Sequence, residues 1–239
     1  MPGIASSFVP SRPGISGQTA PDLGGRLRWL RTAVLDLLFP PRCAGCGRVD
    51  WVWCETCQQT LDRLSLPILA DPLPPLAAAA ATAIHEGVIQ RALWALKYEN
   101  AQALAAPLGD RLAASLRQVG WSVDCVVPVP LHPERRAQRG YNQAELLAQR
   151  LAEQMEIVHA PAALTRYRAT QSQVGLGRIE RLQNVQDAFV ADPQRVSGLR
   201  LLLVDDVYTT GATLSACAQA ALAVGARAVY GLTVSAAHD

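Results

Sequence analysis

Residues 201–214 read Leu-Leu-Leu-Val-Asp-Asp-Val-Tyr-Thr-Thr-Gly-Ala-Thr-Leu. Two adjacent carboxylates, Asp205 and Asp206, follow an apolar run, and three threonines surround one glycine just beyond them. This set suits a sugar phosphate, because carboxylates accept from sugar hydroxyls while hydroxyls and backbone amides donate to phosphate oxygens. Thr209, Thr210 and Thr213 supply the hydroxyls. Gly211, followed by Ala212, permits a positive φ and a close approach of backbone to ligand.

The flanking elements must hold these groups. Leu201–Val204 is a continuous apolar run, as expected for a parallel strand buried on both faces. Carboxylates at its C-terminal end stand where open α/β sheets bind their ligands. If the strand continues through them they point to opposite sides, whereas a turn would bring both to one ligand. A helix from about Leu214 to Val224 then presents its positive dipole end to an anion, and Gly225 stops it. An ordinary N-cap with surface acids is the plain alternative. As a whole, the string resembles the phosphoribosyl-pyrophosphate (PRPP) signature of type I phosphoribosyltransferases. In that signature two acids contact the ribose and the next loop grips the 5′-phosphate. A Walker A loop needs Gly-Lys-Ser/Thr, yet the single lysine, Lys97, is followed by Tyr98. Gly175 and Gly177 lack the third glycine of a dinucleotide fingerprint.

Cys43-x-x-Cys46 and Cys54-x-x-Cys57 form two knuckles with seven residues between them. Four thiolates at this spacing can close a tetrahedral zinc site, and Gly45 and Gly47 let the first knuckle turn tightly. Two local disulfides or a redox pair are the alternatives. No secretion signal is visible, so a reducing, cytoplasmic setting is expected, which disfavours disulfides. Structural zinc is the reading adopted. Cys125 and Cys217 sit in apolar surroundings and read as small core residues.

At 239 residues, half of them hydrophobic, the chain can bury one α/β core and a small appendage. A formal net charge of +2 creates no global basic field that would demand nucleic acid. No apolar run reaches the ~18 residues of a membrane-spanning helix. Residues 1–24 are rich in Pro, Gly and Ser and read as a disordered extension. Residues 25–66 combine a helix over Leu27–Phe39, the cysteine knuckles and a short helix near Gln58–Leu64. The prolines in 67–76 mark a linker. From 77 to 239, helices are expected at Gly87–Lys97, Ala101–Leu116 and Asn142–Gln154. Strands are expected at Val123–Val129, within Ile157–Leu164, near Gln186–Val190 and at Ala228–Val234. This alternation implies an α/β fold with a parallel sheet flanked by helices.

A second constellation follows the first strand of that region. Pro128-Val129-Pro130-Leu131 opens a loop containing Arg135, Arg136 and Arg139, and Gly140-Tyr141-Asn142-Gln143 begins a helix. Arg166, Arg168, Thr170, Gln171, Gln173, Arg178, Arg181 and Asn184 come later. Across 130–181 eight arginines face five acids, an excess that complements a pyrophosphate or merely solubilises two loops.

Taken in order, the cysteine knuckles, Leu96-Lys97-Tyr98, Pro128–Leu131, Arg139–Gln143, Thr170-x-x-Gln173 and Asp205–Thr213 resemble the ComF family. The resemblance runs from about Leu35 onward; the extension before residue 25 lies outside it, as a lineage-specific tail or a misplaced start would. It implies a double zinc-ribbon-like N-terminus fused to a type I phosphoribosyltransferase-like domain. Members are linked to DNA uptake in natural competence, and some resemble a protein named for gluconate utilisation. The implied chemistry is displacement of pyrophosphate from C1 of PRPP with Mg²⁺. Asp205 and Asp206 would hold the ribose and stabilise developing positive charge, and Thr209, Thr210, Gly211, Ala212 and Thr213 would anchor the 5′-phosphate. Arg136, Arg139 and Lys97 are the pyrophosphate candidates, with residues 166–184 a mobile hood. The rival reading is a non-catalytic DNA-uptake component whose zinc module, with Trp51 and Trp53, binds single-stranded DNA or a helicase partner. The acceptor and the oligomeric state are not written in the sequence.

Overall fold

In the computed structural model, which describes residues 40–65, 67–167 and 188–237, the alternating pattern becomes a sheet with helices on both faces. The elements run α1 (Glu55–Arg63), β1 (Ile68–Ala70), β2 (Ala78–Ala81), α2 (Gly87–Tyr98), α3 (Ala105–Val119), β3 (Cys125–Pro128), α4 (Pro133–Arg139) and α5 (Gln143–Met155). They continue with β4 (Val158–His159), β5 (Leu164–Arg166), β6 (Phe189–Ala191), α6 (Pro193–Val196), β7 (Arg200–Tyr208), α7 (Ala212–Ala223) and β8 (Ala228–Ala236). The main sheet has the order β1-β2-β8-β7-β3-β4, parallel throughout except for β1, and β5 and β6 form a separate antiparallel ribbon. The expected helix at Leu27–Phe39, the extension over residues 1–24 and all but the first two residues of the expected hood at 166–184 lie outside the described residues.

Side chains alternate along β7 and divide the interior into two cores. Leu202 and Val204 pack with Leu147 and Leu151 of α5, and Leu201 and Leu203 pack with Leu214 and Cys217 of α7. The helices that follow the neighbouring strands β3 and β7 therefore lie on opposite faces. A crevice opens at the C-terminal edge between such strands. Strand β3 stops at Pro128, paired with Val204, whereas β7 runs four residues further to Tyr208. That overhang carries Asp205 and Asp206.

Three local features depart from the sequence expectations. Strand β2 is four alanines, a residue depleted in strands, yet it pairs with Tyr230–Thr233 of β8; tertiary pairing overrides its weak strand preference. The proline-bearing segment at 67–76 contributes β1 to the sheet edge. The arginines near 135 stand on helix α4, started by Pro133 and capped by His132, instead of in an open loop.

From Arg42 onward the described chain forms one compact unit. Arg111 of α3 holds the cysteine segment to the sheet. Its guanidinium donates to the carbonyls of Leu61, Leu64 and Ser65 beyond the knuckles and to the carbonyl and hydroxyl of Thr82 beyond β2. Burial lowers the Arg111 pKa to about 10, so it remains charged at neutral pH.

Candidate functional site

Strand β7 continues through both aspartates, so no turn brings them together; they leave opposite faces of the strand. One cavity of about 930 Å³ wraps over the strand end and reaches both, together with Thr209, Gly211, Ala212 and Thr213. On the α5 side, Asp206 is buried, accepts from Gln143 Nε2 at 2.8 Å, and pairs with Lys97 Nζ at 2.9 Å. Arg139 in turn donates to Gln143 Oε1 and lies over the Tyr98 ring. On the α7 side, Asp205 turns Oδ1 toward the N–H of Asp206 at 2.8 Å. Burial, then the adjacent Asp206 charge, raise the Asp205 pKa to about 7 against the pull of that N–H, Lys97 and Arg166. A carboxyl whose titration is displaced by burial and a neighbouring charge is a recurring sign of a functional site.

The loop after β7 follows from its sequence. Gly211 has φ +74° and caps α7, while Thr210 Oγ1 accepts from Ala212 N. Ala212, Thr213 and Leu214, the first turn of α7, line the cavity, which places the positive end of the helix dipole there. A Cβ on Gly211 would overlap the Tyr208 ring and hydroxyl, which donates to the Asp71 carbonyl at 2.7 Å. Gly211→Ala is accordingly expected to cost about 1–3 kcal/mol in denaturant melts, through both the left-handed backbone and the displaced tyrosine. An unchanged midpoint would contradict this packing.

The structure sorts the arginines that the sequence left undivided. Arg135, Arg139 and Arg166 line the cavity with Lys97. Arg136 does not: it is largely exposed and pairs with Glu145 at 3.1 Å. Thr210 is likewise absent from the lining, its hydroxyl turned to the cap. His85, which sequence reasoning missed, lines the cavity ahead of α2, and no local motif announces it.

The second site is the cysteine cluster. All four sulfurs lie within 4.8 Å of one another, and the Cys43–Cys57 and Cys46–Cys54 pairs are each 3.6 Å apart. Sulfurs ~2.3 Å from a central zinc in a tetrahedron would be ~3.8 Å apart, so the donor set fits that ion. Burial opposes ionisation of Cys43, yet N–H groups of Cys54, Cys46 and Gly45 outweigh it and bring its pKa to about 6. A side chain at Gly45 would strike Cys57 Sγ, so the knuckle requires glycine. Trp53 donates to Gln58 and packs inward, whereas Trp51 is 43% exposed. Among the described residues, no helix is long and apolar enough to cross a membrane.

Known proteins can now be set beside this geometry. The chain is 39% identical over 94 residues to Competence protein F of Haemophilus influenzae, covering 38% of this chain and 41% of that one. It is 32% identical over 195 residues to the DNA utilization protein YhgH of Escherichia coli K12, covering 78% of this chain and 85% of the relative. The chain belongs to the ComF family. With YhgH of Salmonella typhimurium the identity is 39% over 132 residues, 55% of this chain and 58% of that protein, so the match spans under two thirds of this relative. No family model matches the chain. A solved glutamine PRPP amidotransferase from Bacillus subtilis aligns at 22% identity and a TM-score of 0.39, over 55% of this chain and 26% of that one.

Proposed function

We propose that this protein binds PRPP with Mg²⁺ in the cavity at the end of β7 and transfers the phosphoribosyl group to an acceptor. The observation that carries the reading is the convergence on one cavity of Asp205, Asp206, Thr209, Gly211, Ala212, Thr213 and the cations Lys97, Arg135, Arg139 and Arg166. The carboxylates bind the ribose hydroxyls. The loop and the α7 N-terminus bind the 5′-phosphate. The cations surround the pyrophosphate as the bond from C1 to its oxygen lengthens, and Asp205 faces the positive charge that develops on the sugar. Among the described residues, the cavity's carboxylates are Asp205 and Asp206, the latter already paired with Lys97, so Mg²⁺ fits best as an ion carried on the pyrophosphate. There it would supply charge neutralisation. A structural zinc held by Cys43, Cys46, Cys54 and Cys57 completes the assignment.

Calorimetry with PRPP and Mg²⁺ tests the reading. One saturable site per chain is expected, and Asp205→Asn combined with Asp206→Asn should weaken it by at least ~100-fold, about 2.7 kcal/mol. A flat titration of folded wild-type protein would overturn it. A screen of nucleobases for pyrophosphate release then identifies the acceptor.

One observation favours a second reading, a DNA-handling surface. Trp94 and Tyr98 on α2 are 55% and 63% exposed with ring centroids 5.6 Å apart, and Arg42, Arg91 and Trp94 share a second cavity at the first knuckle. Exposed rings interleaved with arginines can stack bases and hold a phosphate backbone. A salt titration with single-stranded oligonucleotides tests it, because a flat response excludes phosphate contacts.

A further inference from the structure

We propose that His85 is the general base that takes the proton from the acceptor as it attacks C1 of the bound sugar. The inference rests on the PRPP reading above and deepens it. An acceptor N–H or O–H that bonds to C1 must lose a proton, while the bond from C1 to pyrophosphate oxygen breaks and that electron pair leaves with pyrophosphate. The cavity wall supplies few groups able to receive the proton. Lys97 and the arginines are cations suited to the leaving anion. Asp206 is held by Lys97 and Gln143, and Asp205 faces the ribose and accepts from a backbone N–H. Among the described residues, His85 is the one imidazole in the lining.

The surroundings of His85 suit the role. It sits between β2 and α2, where its backbone N–H donates to the Ala236 carbonyl and its Nδ1 lies 2.8 Å from Ser235 Oγ at the end of β8. With Nδ1–H donating to Ser235, the Nε2 lone pair is left to receive a proton, and the ring is fixed in direction by strand and serine. The charged groups that act on it are Lys97 from α2 and Asp206 from β7. Burial first, then Lys97, lower its pKa, outweighing Asp206, so the imidazole is neutral at pH 7. A positioned base of this kind contributes about 10²–10⁴-fold to rate.

The test compares wild type, His85→Gln and His85→Ala by PRPP–Mg²⁺ calorimetry and by pyrophosphate release with water and a nucleobase panel as acceptors. Both variants are expected to bind PRPP within threefold of wild type, which also shows that they fold. Their pyrophosphate release should fall at least 100-fold, and added imidazole should restore at least tenfold of the loss in His85→Ala. Variants that bind PRPP and turn over at the wild-type rate overturn the role of His85 while leaving PRPP binding intact. So does a wild type that binds PRPP yet releases no pyrophosphate with any acceptor. So does an impaired His85→Ala that imidazole leaves unrescued. A wild type that binds no PRPP overturns the underlying reading and this inference with it.

Discussion

Stripping the proposed zinc from the cysteine cluster is expected to lower the melting temperature by more than ~10 °C and to unravel the segment from Arg42 to Leu64, since zinc coordination in comparable modules is worth about 10–16 kcal/mol. The reason lies in how little besides the Arg111 and Arg91 hydrogen bonds holds this segment. Helix α1 buries only Cys57 and Leu61, and neither its N-cap Cys54 nor its first turn has a side-chain cap. Three of the four cysteines are buried in the same core as Leu93, Leu96 and Leu108, so without an ion four crowded sulfurs would sit together with no ligand to bind them. Wild-type protein should contain one zinc per chain by elemental analysis, and Cys57→Ser should contain none. Metal-free protein that melts at the wild-type temperature would refute the assignment.

The consequences should reach the other site. Helix α2 carries Arg91, whose Nε donates to the Gly45 carbonyl at 2.6 Å, and, six residues on, Lys97, which pairs with Asp206. Losing the knuckle frees one end of the rod that aims the cavity's only lysine. PRPP affinity should therefore fall on zinc removal even though no cysteine lines that cavity.

A second large effect is expected from Asp205→Asn, and its sign depends on pH. The folded-state pKa of about 7 lies above the ~3.9 of an unfolded aspartate. The folded protein thus holds this proton more tightly than the unfolded chain. The stability that this group contributes is fully present below pH ~4 and is lost as pH rises through about 7, after which the full cost of the second carboxylate is present. Asparagine keeps an acceptor for the Asp206 N–H and removes the charge. The variant should consequently be more stable than wild type at pH 8, by a few kcal/mol at ~1.4 kcal/mol per unit of displacement. At pH 4 the two should be nearly equal. Urea melts at both values measure this. An equal gain at both, or none at pH 8, would show that Asp205 is not strained. The same change should impair PRPP binding, as expected where a site is held ready at the expense of stability.

Legibility in the sequence followed the range of the forces involved. The four-cysteine cluster could be read because metal coordination by two short knuckles depends on local spacing. Strand β7, its acids and the Gly211 turn could be read because burial on both faces and a positive φ leave marks within a dozen residues. Helices α2 and α5 likewise carried their periodicity, and Asn142 does cap α5 by accepting from Ala144 N. The strand of four alanines was invisible, since only its partner β8 makes that segment extended.

Side-chain placement within the cavity belonged to the tertiary structure. Arg135, Arg136 and Arg139 are equivalent as letters, but helix α4 sends Arg136 to Glu145 and leaves the other two on the cavity wall. Two aspartates on opposite faces of one strand reach a common cavity because β3 ends four residues early and its helix crosses to the other face from α7. His85 and Lys97, twelve positions apart, share one cavity wall, where Lys97 meets Asp206. Coordination spacing and backbone conformation are short-range properties that a string of residues records. Which charge meets which is decided by contacts between segments distant in the chain, and these exist only once the sheet has closed.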